Sequence, residues 1–235
     1  MVNSDRPRSG LIAQLLRGAR SLLAFPMTAP AAPPQPRVLV VVEGQNDIQF
    51  LRRISAILHR ADPSVPDLAD MERQHVLMFM PSGGSDLSSA FRLVGFRLPE
   101  FHILDRDVPP ATESRQRVAA MVNSRPGCRA EITSKRSLEN YLHSAAIFEA
   151  SGISVEFSDE DNVAELVARR AHEAHEGSIP WDHLPVRSRK RLRDKSKKWL
   201  NAQAVEQMTP ERLAERDPSG EVRSWLTTIA ILVGR

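Results

Sequence analysis

Hydrophobic positions fall along the chain in blocks, and the blocks change period. VLVVV at 38–42 is apolar, β-branched and uninterrupted, the pattern of a strand buried on both faces. Ile48, Leu51, Ile54, Ile57 and Leu58 then recur at helical spacing, with Asn46 or Asp47 starting that helix. HVLMFM at 75–80 predicts a second strand, and PSGGSD ends it and opens another helix with Asp86 in the first turn. FHILD at 101–105 predicts a third strand. Arg115 to Asn123 reads as helix, CRAEITS at 128–134 alternates like an edge or fourth strand, and SLENYLHSAAIF returns to helical spacing. This order predicts an α/β fold with a parallel sheet of about four strands and helices on both faces, since parallel neighbours need crossover connections. From about Asp159 the chain reads as polar helix, ending in a helix near Glu221 to Val233. No internal repeat is visible.

The flanks divide the chain further. LIAQLLRGARSLLAF, near the N-terminus, is apolar on a helical period but broken by Arg17 and Arg20, which reads as a weakly ordered or partner-bound helix. PMTAPAAPPQP follows, with five prolines in eleven residues, and reads as a semi-rigid linker. The expected organisation is a flexible segment and linker at 1–36, an α/β domain at 37–157 and a helical, basic region at 158–235. No apolar run approaches the roughly 20 residues needed to cross a bilayer. The single cysteine, Cys128, excludes an intrachain disulfide and a cysteine-clustered zinc site, so a reducing, cytoplasmic setting is expected.

Charge adds a second theme. The net charge is only +3, but VRSRKRLRDKSKKWL at 186–200 carries eight Lys or Arg against one Asp. Arg187, Arg189, Lys190, Arg191, Arg193, Lys195, Lys197 and Lys198 therefore form a candidate polyanion-binding helix, DNA being favoured over RNA. A solvated helix face is the competing reading. Trp199 is expected to pack that helix onto the core.

The acids give the chemistry. Ligands of open parallel sheets sit beyond the carboxyl ends of the strands. Glu43 ends the first strand and Asp105 the third, with Asp107 in the loop above and Asp47 in the first turn of the helix after Gly44. Taken singly, each acid fits a surfacing strand end, a helix N-terminal charge or a turn. Taken together, four carboxylates on one rim would repel one another unless a cation neutralised them, and a hard ion such as Mg²⁺ or Mn²⁺ suits oxygen ligands. His172 and His175 read as a solvated helix face, and His102 as a satisfied core histidine.

An apolar strand into Glu43-Gly44 and Asp47, a Gly-Gly loop after the second strand, then an apolar strand into Asp105-Arg106-Asp107 resembles the Toprim domain of topoisomerases, bacterial primases, recombination mediators and OLD-type nucleases. The resemblance covers about Arg37 to Leu142. SKRSLENYL at 134–142 is similar to the OLD-like branch and related stand-alone Toprim proteins. It implies a Toprim-like, Rossmann-like sheet and a further acidic member at Glu139, with Lys135 or Arg136 near phosphate. From spacing alone, the same segment is an amphipathic helix with Leu138 and Leu142 in the core.

Within that family, the only tyrosine, Tyr141, lies inside the motif region, which argues against a strand-passing topoisomerase. One cysteine cannot build a primase zinc module. No G-x-x-x-x-G-K-[ST] loop supplies an ATPase, so any such activity would come from a separate partner. The expectation is a stand-alone metal-dependent nuclease. Glu43, Asp105, Asp107 and Lys135 would be its catalytic residues, and Glu43, Asp47, Asp105, Asp107 and Glu139 would hold two ions about 4 Å apart. Ser82, Gly83, Gly84 and Arg136 would meet phosphate. A haloacid-dehalogenase-like phosphatase built on FHILDRD, a nucleotidyl transferase and a non-enzymatic nucleic-acid-binding or assembly module are the competing readings.

Overall fold

The computed structural model describes residues 35–83, 93–175 and 179–234. Gly84 and the helix expected to begin around Asp86 lie outside the described residues. Those described belong to one compact unit, Pro34–Arg235. No helix among them is long and apolar enough to cross a membrane.

The elements run β1 (Val38–Val42), α1 (Gln45–Ala61), α2 (Leu68–Arg73), β2 (Leu77–Pro81), β3 (Glu100–Leu104), α3 (Ala111–Asn123), β4 (Cys128–Ile132), α4 (Ser144–Ser151), α5 (Val163–Glu173), α6 (Val186–Leu200), α7 (Pro210–Arg216) and α8 (Glu221–Val233). The four strands form one parallel sheet in the order β2-β1-β3-β4. Val40 stands opposite Phe79 on one side and Phe101 on the other, so the VLVVV run is central, and all five of its residues are buried. β2 and β4 are less completely buried because they are the edges.

Side chains of successive strand residues point to opposite faces, and the core divides accordingly. Val38, Val40 and Val42 pack with Ile48, Phe50, Leu51 and Ile54 of α1 and with Trp225, Leu226 and Ile229 of α8. Leu104 and Ala130 pack on the other side with Val118, Ala119 and Val122 of α3. Helices therefore cover both faces. Each buried Val, Leu, Ile or Phe contributes about 1.5–3 kcal/mol relative to exposure. His102 is fully enclosed on β3, its Nε2 2.7 Å from Glu100 Oε2, and Arg125 closes the same carboxylate with two bonds. It is a satisfied core histidine, as its place on a buried strand implies.

The strand order fixes where a ligand can go. The chain leaves β1 toward β2 on one side and returns past β1 to β3 on the other. The crevice at the carboxyl ends of β1 and β3 is thus a topological switch point, the place where open α/β sheets bind ligands.

Candidate active site

Glu43 leaves β1 at this crevice, and the next residues start α1. Gly44 is extended (φ −161°), and its amide donates to Asp47 Oδ2 at 2.8 Å. One Asp47 oxygen thereby caps the helix N-terminus, as carboxylates do. The other, Oδ1, is buried and accepts no hydrogen bond. Asp105 leaves β3 at the same rim with 8% of its surface exposed. Asp107, two residues on, sits in the left-handed region (φ 57°), which Asp tolerates, and its amide donates to Arg136 O.

Glu139 arrives from a third direction. The turn Leu138–Tyr141 is a single 3-10 turn, and each residue of ENYL has its own task. Glu139 is buried among the acids, with Oε2 accepting from Ser137 Oγ at 2.8 Å and Oε1 from Asn201 Nδ2 at 2.5 Å. Asn140 donates to the carbonyls of Ser158 and Asp161, lacing the following loop to the turn. Tyr141 packs edge-on against Trp225 at 5.3 Å and donates to Glu221 at 2.5 Å. Leu138 and Leu142 are core, as their spacing implies, but the helix expected over SLENYL is this one 3-10 turn, and α-helix begins only at Ser144, because the backbone here turns to seat Glu139 and Asn140.

The centre of the cluster is a lysine from the basic helix. Lys197 Nζ lies 3.7 Å from Asp47 Oδ1, 3.9 Å from Asp105 Oδ2 and 3.7 Å from Glu139 Oε1. Asn201, one turn later on the same side, ties Glu139 to the Lys197 carbonyl. α6 thus divides its charge. Arg187, Lys190, Arg191, Lys195 and Lys198 are exposed, whereas Arg189, Arg193 and Lys197 fall on the inward stripe with Leu192 and Ser196. The density of the run groups Lys197 with the polyanion-binding residues; its 3–4 spacing to Arg193 and Leu200 is the signal that sets it apart. Trp199 packs against the core, as expected.

A second buried cation sits on the other side of Asp105. Arg115, on α3, donates from Nε to the Asp105 carbonyl at 3.3 Å. Its Nη2 is 3.8 Å from Glu43 Oε1 and 3.5 Å from Asp107 Oδ2, and its buried Nη1 has no hydrogen-bond partner. Sequence reasoning missed it, because an arginine in an amphipathic helix carries no mark of burial.

Electrostatics follow from this crowding. Burial pushes the Asp47 carboxyl up to about 6; Lys197 opposes the rise, and Glu139 and Glu43 add to it. Burial drives Asp105 well above the ordinary carboxylate range, with Lys197 again opposing and Asp47, Glu139 and Glu43 reinforcing. For Lys197 burial favours the neutral amine, but Glu139, Asp105, Asp47 and Glu43 outweigh it and hold the proton more firmly than usual.

The remaining expected residues are placed as follows. Lys135 is paired with Asp159 at 2.7 Å and lies 5.5 Å from the Tyr141 ring centre. Arg136 donates to the Glu160 carbonyl. The amides of Ser82 and Gly83 donate to the Val42 and Glu43 carbonyls, where they extend the β1 edge of the crevice. His172 bonds the Ile179 carbonyl and His175 the Ala171 carbonyl.

Among the described residues, no three His, Cys, Asp or Glu side chains stand together as a ready-made ligand set. The point on which Asp47, Asp105 and Glu139 converge is held by the Lys197 ammonium. The donor chemistry still suits a hard divalent cation: it is carboxylate oxygen throughout, and Asp47 Oδ1 accepts no hydrogen bond.

Neither a protein-family model nor a curated protein matches the sequence. Solved structures similar to the chain are C-terminal regions of OLD proteins. One form of the Xanthomonas campestris pv. campestris protein is 13% identical, with 85% of this chain and 96% of that one covered and a TM-score of 0.46. A second form gives 11%, 85%, 94% and 0.47. The Burkholderia pseudomallei protein gives 15%, 83%, 87% and 0.34. Scores this low leave the site to rest on its own geometry.

Proposed function

We propose that the chain is a divalent-cation-dependent nuclease that hydrolyses phosphodiester bonds of nucleic acid, DNA in preference to RNA, at the β1–β3 crevice. The observation that carries this reading is the convergence of Glu43, Asp47, Asp105, Asp107 and Glu139, from separate chain segments, beside a helix whose outer face is basic. The Toprim-like order of the acids supports it.

Asp47, Asp105 and Glu139 would hold the cation, with Glu43 and Asp107 beside them. Bound there, such an ion would activate water for attack and offset charge on the phosphate. The chain's own groups do the rest. Arg187, Lys190, Arg191, Lys195 and Lys198 bind the backbone without reading sequence. Lys197, the member of that helix turned inward, brings a positive charge on a flexible stem to the reacting phosphate, where charge develops during hydrolysis. Burial holds Asp105 and Asp47 above the ordinary carboxylate range, and a cation held between them would favour their charged forms.

Supercoiled plasmid, single-stranded DNA and structured RNA incubated with the purified chain, with and without Mg²⁺ or Mn²⁺, test this. Metal-dependent cleavage that disappears in Asp105→Ala is the expected result. Cleavage that persists in that variant, or that no cation elicits, sinks the proposal.

A further inference from the structure

The five acids do not share one counter-ion; they are divided between two. Lys197 serves Asp47, Asp105 and Glu139, and Arg115 serves Glu43 and Asp107. These resident cations differ in the property that matters to an incoming ion, namely whether they can leave.

Lys197 can leave. Its ammonium stands 3.7–3.9 Å from each carboxylate, within ion-pair range but beyond hydrogen-bond length, on a flexible four-carbon stem. The side chain is 26% exposed and is carried by a helix that borders solvent. Arg115 cannot leave. Its side chain is 6% exposed, its Nε is tied to the Asp105 carbonyl, and Val118, Ala119 and Val122 of the same helix are packed beneath the sheet. A guanidinium also cannot lose its proton in a protein.

We infer that the crevice takes one divalent ion, on the Asp47–Asp105–Glu139 side in exchange for the Lys197 ammonium, and that Arg115 is a fixed second cation between Glu43 and Asp107. A two-ion arrangement would need Glu43 and Asp107 to hold a metal against a guanidinium that can neither withdraw nor be neutralised. Two buried polar atoms mark the asymmetry: Asp47 Oδ1 accepts nothing on the exchangeable side, and Arg115 Nη1 donates to nothing on the fixed side. Arg115 is therefore a positioning residue for Glu43 and Asp107, and it sets the metal count. The inference rests on the cation-dependent reading above and differs from the two ions expected of the motif.

Mn²⁺ binding to the chelator-treated full chain, followed by calorimetry and by electron paramagnetic resonance, separates the outcomes without any turnover. The wild type should bind one Mn²⁺ per chain with an uncoupled spectrum. Arg115→Met should bind two with spin coupling, and Lys197→Met should bind one at least tenfold more tightly. Two coupled ions in the wild type overturn the inference and leave the cation-dependent reading standing. No bound ion overturns both. A single ion in folded Arg115→Met shows that the guanidinium does not exclude the second and overturns its role, as weaker binding by Lys197→Met overturns the exchange. Should Arg115→Met fail to fold, the wild-type count and spectrum decide.

Discussion

Lys197 Nζ lies 3.7 Å from Glu139 Oε1, and this ion pair joins the basic helix to the turn that follows β4. It makes the helix part of the acid cluster rather than a neighbour of it. Glu139 is buried, so its charge depends on Lys197, Asn201 and Ser137 for the interactions water would otherwise provide.

Glu139→Ala should therefore destabilise the metal-free chain by about 3–5 kcal/mol, because it removes one partner of a buried ion pair and leaves others unpaired. Urea unfolding of the variant beside the wild type measures this. A change within about 0.5 kcal/mol would show that Glu139 is merely a surface acid of the turn.

Asp105→Asn should separate stability from chemistry. Burial already disfavours its charged form and holds the carboxyl above the ordinary carboxylate range, so a neutral isostere costs less folding energy than loss of an ordinary ion-paired acid, and the melting temperature should stay close to that of the wild type. Metal-dependent cleavage should fall at least roughly a hundredfold. A variant that retains activity would place the chemistry elsewhere.

The metal-free chain should lose stability as pH rises from about 4 to about 6. Folded Asp47 keeps its proton to about 6 against an ordinary 3.8. Within that window the folded state binds more protons than the unfolded state, so raising pH favours unfolding, by roughly 3 kcal/mol once the window is passed. Asp47→Asn cannot ionise, so its stability relative to the wild type should grow across the window. Thermal unfolding at pH 4, 5, 6 and 7 gives the comparison, and a difference that shrinks with pH contradicts the burial of a charged Asp47.

Replacing Arg187, Lys190 and Arg191 together by alanine should weaken binding to every nucleic acid alike and lower the salt slope by ~0.9 for each phosphate that is no longer neutralised. The fold should be unaffected, since all three are exposed. An unchanged slope in fluorescence anisotropy titrations across salt would mean that this face does not meet the backbone.

Tyr141→Phe should keep cleavage intact while costing about 1–3 kcal/mol, because Glu221 loses a buried donor but the ring still packs on Trp225. Burial and the Glu221 bond hold the phenol protonated far above neutral pH, which unsuits it as a nucleophile. Loss of cleavage in a folded Tyr141→Phe chain would reopen a covalent mechanism.

What the sequence displays is what repeats or runs. VLVVV and FHILD are legible because strands buried on both faces read as short, nearly continuous apolar runs, and the acids at their ends stand out against them. Glu139 is reachable only through its motif, since amphipathic spacing accounts for it equally well. Lys135 looks suited to phosphate from its place before ENYL, yet Asp159, on a loop far along the chain, pairs with it. Lys197 and Arg115 are concealed for a related reason: burial of a cation is decided by partners distant in sequence, and composition records the charge without its surroundings.

That distance has a consequence for the history of the molecule. The cluster is gathered from Glu43 to Asn201, so most of the chain must be joined before its acids meet their cation. Until α6 is in place, Asp47, Asp105 and Glu139 lack the ammonium that balances them, so docking of that helix is what completes the charge pairing of the crevice.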